Sequence, residues 1–163
     1  MAGKPLSAAQ QANLIRRAFP DAQNRFLRGQ LLCRVSLQPT RLSAIYTIEI
    51  LYRPGSRPSV RVARPALQLR PGASELPHTY DGRELCLNLP GEWTADMSIA
   101  DSTLPWTAEW LLHYEIWLAC GEWTGGGVHA AKNPDAPQPE LALKASPKMP
   151  RQSRTLSSRS CSL

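Results

Sequence analysis

The sequence predicts an α+β fold: an N-terminal helix, an antiparallel β-meander, a long loop and a later buried helix. Three observations carry this expectation. Apolar residues recur at helical spacing over residues 7–19 and again over 106–120. Between these segments lie two runs in which apolar and polar residues alternate with a period of two. Residues 65–102 are then broken by Pro65, Pro71, Gly72, Pro77, Gly82, Pro90 and Gly91, as befits a loop.

Ser7-Ala8-Ala9-Gln10 fits a capping box, in which Ser and Gln satisfy each other's backbone N–H groups. Ala8, Ala12, Ile15 and Phe19 share one helical face, and Pro20 ends the run. Leu31, Cys33, Val35 and Leu37 alternate with Leu32, Arg34 and Ser36. Ala44, Tyr46, Ile48, Ile50 and Tyr52 alternate with Ile45, Thr47, Glu49 and Leu51. Each run predicts a strand with one buried face. Arg53-Pro54-Gly55-Ser56 predicts a turn, and Val60 and Val62 a shorter strand after it.

Ser102 or Thr103 is placed to cap the second helix, Pro105 suits its first turn, and Gly121 its end. Trp106, Trp110, His113 and Trp117 form one stripe, with Leu111, Tyr114 and Leu118 beside it. A helix apolar around most of its circumference is expected to be central and buried. The aromatic stripe is therefore read as core, His113 as a satisfied core histidine, and Cys120 as core. Gly125-Gly126-Gly127 makes a break. Residues 130–163 hold five Pro, many Ser and few large apolar groups, too little to offset ordering entropy. The expected organisation is a domain over residues 1–129 and a flexible, Pro/Ser-rich basic tail over 130–163.

A chain of 163 residues can build one domain with a sizeable core. No apolar run is long enough to span a bilayer. Met1-Ala2-Gly3-Lys4-Pro5 lacks the apolar segment of a signal peptide, which places the protein in the cytoplasm. Cysteines at 33, 86, 120 and 161 form no CxxC pair and no zinc signature, and thiols are expected.

The net charge of +6 is unevenly spread. Residues 1–83 carry 13 Lys and Arg against 4 Asp and Glu, a balance of +9. Residues 84–131 carry 7 acidic residues and no Lys or Arg, and 132–163 return to +4. An acidic stretch after Cys86 argues against a nucleic-acid backbone there. A protein partner with complementary patches suits the pattern better, although a solvated, sign-segregated surface also would.

Cys86 stands out by its company: Leu76-Pro77-His78-Thr79-Tyr80-Asp81-Gly82-Arg83-Glu84-Leu85-Cys86-Leu87, with Trp93 beyond. A long loop inside a compact domain is commonly functional. A thiol is a good nucleophile and a thiolate a good leaving group, so Cys86 could accept an acyl group and pass it on. A Cys hydrolase needs a base that lowers the thiol pKa. The carboxylates near Cys86 in sequence are Asp81, Glu84, Glu92 and Asp96, Arg83 is the only strong cation close by, and acidic neighbours work in the opposite direction. His78 could donate to an oxyanion or pin the loop through backbone carbonyls, and both readings stay open. His129 could reach the site or merely cap the domain edge. Cys33, on a strand's apolar face, is read as core. Lysine is absent from residues 5–131. That would spare a thioester from self-attack, though a plain preference for Arg explains it as well.

These residues resemble the ubiquitin-conjugating enzymes over about residues 7–121. The order of helix, meander, motif, acceptor Cys, Trp and central helix is shared. Leu76-Pro77-His78 takes the place of the family's His-Pro-Asn, Tyr80 of its aromatic, Cys86-Leu87 of the acceptor and its Leu, Trp93 of its Trp, and Ser98-Ile99 of its Thr/Ser-Ile. His78 replaces the Asn, and Gly82 lies one residue further from the Cys than is usual. Asp81 to Cys86, Ser98-Ile99-Ala100-Asp101, Trp110 to Trp117 and Gly121 to Gly127 look more specifically like the bacterial branch found in antiphage (CBASS) operons.

The resemblance implies that Cys86 is catalytic, that His78 supports the loop or the oxyanion, and that Tyr80 and Trp93 are supporting scaffold. It implies a cGAS-like nucleotidyltransferase as partner, whose C-terminus passes through Cys86 to a target amine. It further implies a stand-alone conjugating protein, with no fused activating domain. No metal or organic cofactor, no nucleic acid and no membrane is expected in the transfer. Two rivals remain: a partner-binding module of the same fold without activity, and a Cys hydrolase using Cys86 with His78 or His129.

Overall fold

The structure, a computed structural model, describes residues 3–81 and 83–126. The expected tail over 130–163, His129, Cys161 and Gly82 lie outside the described residues. Helix α1 spans Ala8–Ala18 and opens on the capping box the sequence predicts. Ser7 Oγ accepts from Gln10 N–H at 3.3 Å, and Gln10 Oε1 accepts from Ser7 N–H at 2.8 Å. Its buried face is Ala8, Gln11, Ala12 and Ile15, and Arg16 and Arg17 sit in the last turn, where the helix dipole favours cations.

Six strands follow: β1 Gln23–Leu27, β2 Gln30–Leu37, β3 Tyr46–Tyr52, β4 Ser59–Arg64, β5 Thr79–Tyr80 and β6 Glu84–Leu85. They form one antiparallel sheet in the order β1-β2-β3-β4-β6-β5. The register sets like against like on the inner face. Cys33 faces Ile50, Val35 faces Ile48, and Leu37 faces Tyr46. The outer face carries Arg34, Glu49 and Arg61, with Arg34 Nε donating to Glu49 Oε1 at 2.7 Å.

Two parts of the sheet have no counterpart in the sequence expectation. β1 is an exposed edge strand, so its residues show no alternation to read. Its turn into β2 places both Arg28 (φ 50°) and Gly29 (φ 77°) in the left-handed region, as a tight two-residue hairpin requires. The hairpin of β5 and β6 lies inside the stretch expected to be irregular, and each strand has only two residues. β3 begins at Tyr46 rather than Ala44, because Ala44 N–H turns to Glu115 Oε1 at 3.0 Å.

Helix α2 spans Thr103–Cys120 and ends at Gly121, whose φ of 84° is the left-handed cap glycine permits. Ser102 occupies the N-cap position, but its hydroxyl donates back to Ser98 O at 2.6 Å instead of capping. Leu104, Trp110, Leu111, Tyr114 and Trp117 join Ala12 and Ile15 of α1 and the inner face of the sheet in one core. This is the α+β arrangement that the sequence predicts. Among the described residues, no helix is long and apolar enough to cross a membrane.

Candidate active site

The loop, the hairpin and α2 together position the candidate thiol. Cys86 directly follows β6 and is half-buried. Its backbone N–H donates to His78 O at 2.9 Å. The same carbonyl accepts from Trp110 Nε1, on α2, at 3.0 Å. His78 therefore ties the Cys86 backbone to the central helix through its main chain. Its φ of 49° turns that carbonyl inward, a conformation uncommon outside glycine. The imidazole is buried and stacks on Trp123, with ring centroids 4.8 Å apart.

Cys86 Sγ–H donates to Tyr80 Oη at 3.2 Å. Burial, then the contact with Cys86, pushes the Tyr80 phenol up to about 12. Arg57 lies over the Tyr80 ring, 5.0 Å from its centroid, and its Nη2 meets Glu84 Oε1 at 2.6 Å. Trp93 is placed apart from this group. It packs edge-on against Tyr52 at 6.2 Å and leans on the core, and the cavity beside Cys86 is lined by other residues. Of the four expected site residues, the structure thus brings together Cys86, His78 and Tyr80, and sets Trp93 in the scaffold.

Cys86 opens onto a cavity of about 250 Å³. Its walls are Leu87, Asn88 and Leu89 from the loop, Trp106, Trp110 and His113 from α2, and Trp123, Gly125 and Gly126 beyond it. Glu92 and Glu109 line it too, and no Lys or Arg does among the described residues. It suits an extended, apolar, uncharged or cationic segment better than an anion.

Two expectations need correction. His113 is not a core histidine: it flanks the buried stripe and faces the cavity. Its Nδ1 pairs with Thr124 Oγ1 at 2.8 Å, and its Nε2 lies 3.8 Å from Glu109 Oε1. Cys120 is exposed rather than core, because the buried stripe of α2 stops at Trp117. The rest of the aromatic stripe keeps Trp110 and Trp117 in the core as expected, with Trp110 also lining the cavity beside Trp106. Cys33 is fully buried, as expected. Trp123 entered the sequence reading only inside the Gly121 to Gly127 stretch that carries the resemblance, with no role of its own; the structure stacks it on His78 in the cavity wall.

A family model described as Type II CBASS E2 protein matches residues 11–130. A search of curated proteins finds no match to the chain.

Proposed function

Because this chain belongs to the type II CBASS E2 family, with a conjugation-related role in antiphage defence and a protein partner within CBASS, we propose that Cys86 is its acyl-accepting nucleophile. The half-buried thiol beside an open cavity carries this reading. The partner is a cGAS-like nucleotidyltransferase, and its activated C-terminal carboxyl is the acyl group. Cys86 Sγ attacks the carbonyl carbon, a C–S bond forms, and the bond to the activating group breaks; the thiol proton leaves with that group. An amine nitrogen on the target then attacks the same carbon. A C–N bond forms, the C–S bond breaks, and its electron pair returns to Sγ.

The aromatic and aliphatic walls receive the incoming tail, and Glu92 and Glu109 favour an acceptor that arrives as an ammonium ion and loses a proton to water before its nitrogen attacks. His78 supports the site by holding the Cys86 backbone. The reaction takes place in the cytoplasm, where thiols persist. A hydrolase is the weaker reading, since Sγ is paired with a phenol rather than with a histidine among the described residues.

Co-expression with the neighbouring operon proteins tests this. Non-reducing electrophoresis and intact mass should show an adduct on the wild type that reductant releases. Cys86→Ala should abolish it, and Cys86→Ser should give an ester that reductant leaves intact. An adduct that persists in Cys86→Ala, or steady release of free acid without any adduct, would overturn the proposal.

A further inference from the structure

Around the hairpin that precedes Cys86, Tyr80 and Glu84 are linked to Arg57, just before β4, and to Cys86 in a set of contacts whose purpose packing does not explain. Tyr80 Oη is 3.2 Å from Cys86 Sγ. The Arg57 guanidinium covers the Tyr80 ring at 5.0 Å and binds Glu84 at 2.6 Å. Glu84 is the register partner of Tyr80 across the hairpin. A phenylalanine would fill the same space; the hydroxyl adds a hydrogen bond to sulfur.

We infer that Tyr80 is a catalytic residue that donates to the ionised Cys86 sulfur, and that Arg57 is the residue positioning it. The inference rests on Cys86 being the acyl acceptor. In the resting thiol, Sγ–H donates to the phenol oxygen. Once the thiol proton has left, the phenol turns its own O–H to sulfur. The same contact serves transfer: as the amine attacks and the C–S bond breaks, the electron pair settles on Sγ, and the nitrogen's proton passes to water. A donor aimed at that developing charge lowers the barrier.

The other ionisable groups around the sulfur make such a donor useful. Glu84 lies on β6, Glu92 in the loop beyond, Glu109 and His113 on α2, and His78 just before β5. The three carboxylates bring negative charge towards the place where the sulfur's own charge develops. Tyr80 opposes them locally, and its phenol keeps its proton at neutral pH because burial holds it high. A cation over the ring face draws electron density from the phenol and makes it a stronger donor.

Alkylation of Cys86 by iodoacetamide in the full chain, from about pH 6 to about pH 10, spans the thiol range. Peptide mass counts Cys86 apart from the other cysteines. Tyr80→Phe keeps the ring under Arg57 and removes the hydroxyl. Its Cys86 titration midpoint should rise, and the rate at neutral pH should fall about tenfold. Arg57→Ala should give a smaller fall, largely restored in Arg57→Lys. An unchanged profile in a folded Tyr80→Phe overturns the inference. If that variant fails to fold, an Arg57→Ala profile identical to wild type overturns it instead. The readout needs no partner. An unshifted profile in a chain that still forms its adduct sinks Tyr80 and spares the acyl-carrier reading. A shifted profile in a chain that never forms one confirms the Tyr80–Cys86 coupling and sinks the carrier.

Discussion

Cys33 sits on the inner face of β2 with no exposed surface, and burial pushes its thiol up to about 11. Cys86 and Cys120 reach solvent to different degrees. Under native conditions iodoacetamide should therefore label Cys86 and Cys120 while leaving Cys33 intact until the chain is unfolded, as peptide mass will show. The raised thiol has a consequence for stability. Between about 9 and about 11 the unfolded chain releases this proton while the native chain retains it, so raising the pH through that window favours unfolding. Urea midpoints measured across it should fall, and fall less in Cys33→Ala. At this scale Cys86 and His78 were legible as candidates, because residue type and order mark a thiol among turn residues, while Tyr80 was expected only through the family resemblance. The way His78 meets Cys86 was not legible. The contact runs through a carbonyl, and every residue has one, so no side-chain pattern could announce it.

α1 packs on the core through Ala8, Ala12 and Ile15, and one buried polar side chain adds a specific tie. Gln11 is fully buried; its Nε2 donates to Met97 O at 2.8 Å, and its Oε1 accepts from Ile99 N–H at 2.9 Å. It joins α1 to the turn that leads into α2. Gln11→Ala would strand both backbone groups, at a cost of about 2–4 kcal/mol, seen as a Tm lower by about 10 °C. The segment after α2 is pinned differently. A Cβ on Gly125 would lie 2.7 Å from Trp123 Nε1 and 2.8 Å from His113 Cδ2. Gly125→Val should push the two rings apart, change the tryptophan emission and slow adduct formation, with little effect on Tm. α1, β2, β3 and α2 were readable because each buries one face, which imposes a period on the sequence. β1 buries almost nothing and β5 and β6 are two residues long, so neither imposes one.

The whole molecule places its charge asymmetry to chemical effect. The basic first half supplies most of the sheet, whose outer face presents Arg34 and Arg61, whereas the acidic stretch from residue 84 supplies the cavity with Glu92 and Glu109. The composition showed the segregation, and only the fold could show that its acidic part surrounds the thiol. The family match ends at residue 130, beside the proposed domain boundary at 129. A chain ending at residue 129 should keep the wild-type Tm and form the Cys86 adduct at the wild-type rate, read by calorimetry and intact mass. The α+β class was accessible from periodicity because one core, shared by both helices and one sheet face, governs most of the buried positions.

Gly125 and Gly126 belong to the cavity wall, at the mouth beside the Cys86 thiol. The first amine downstream is Lys132, six residues past Gly126 and within about 20 Å of it at full stretch. A lysine that few residues away can meet the sulfur within its own molecule. A loaded protein starved of its target should thus end by branding itself there, and tryptic mapping of aged samples will find the isopeptide on Lys132 before any other lysine.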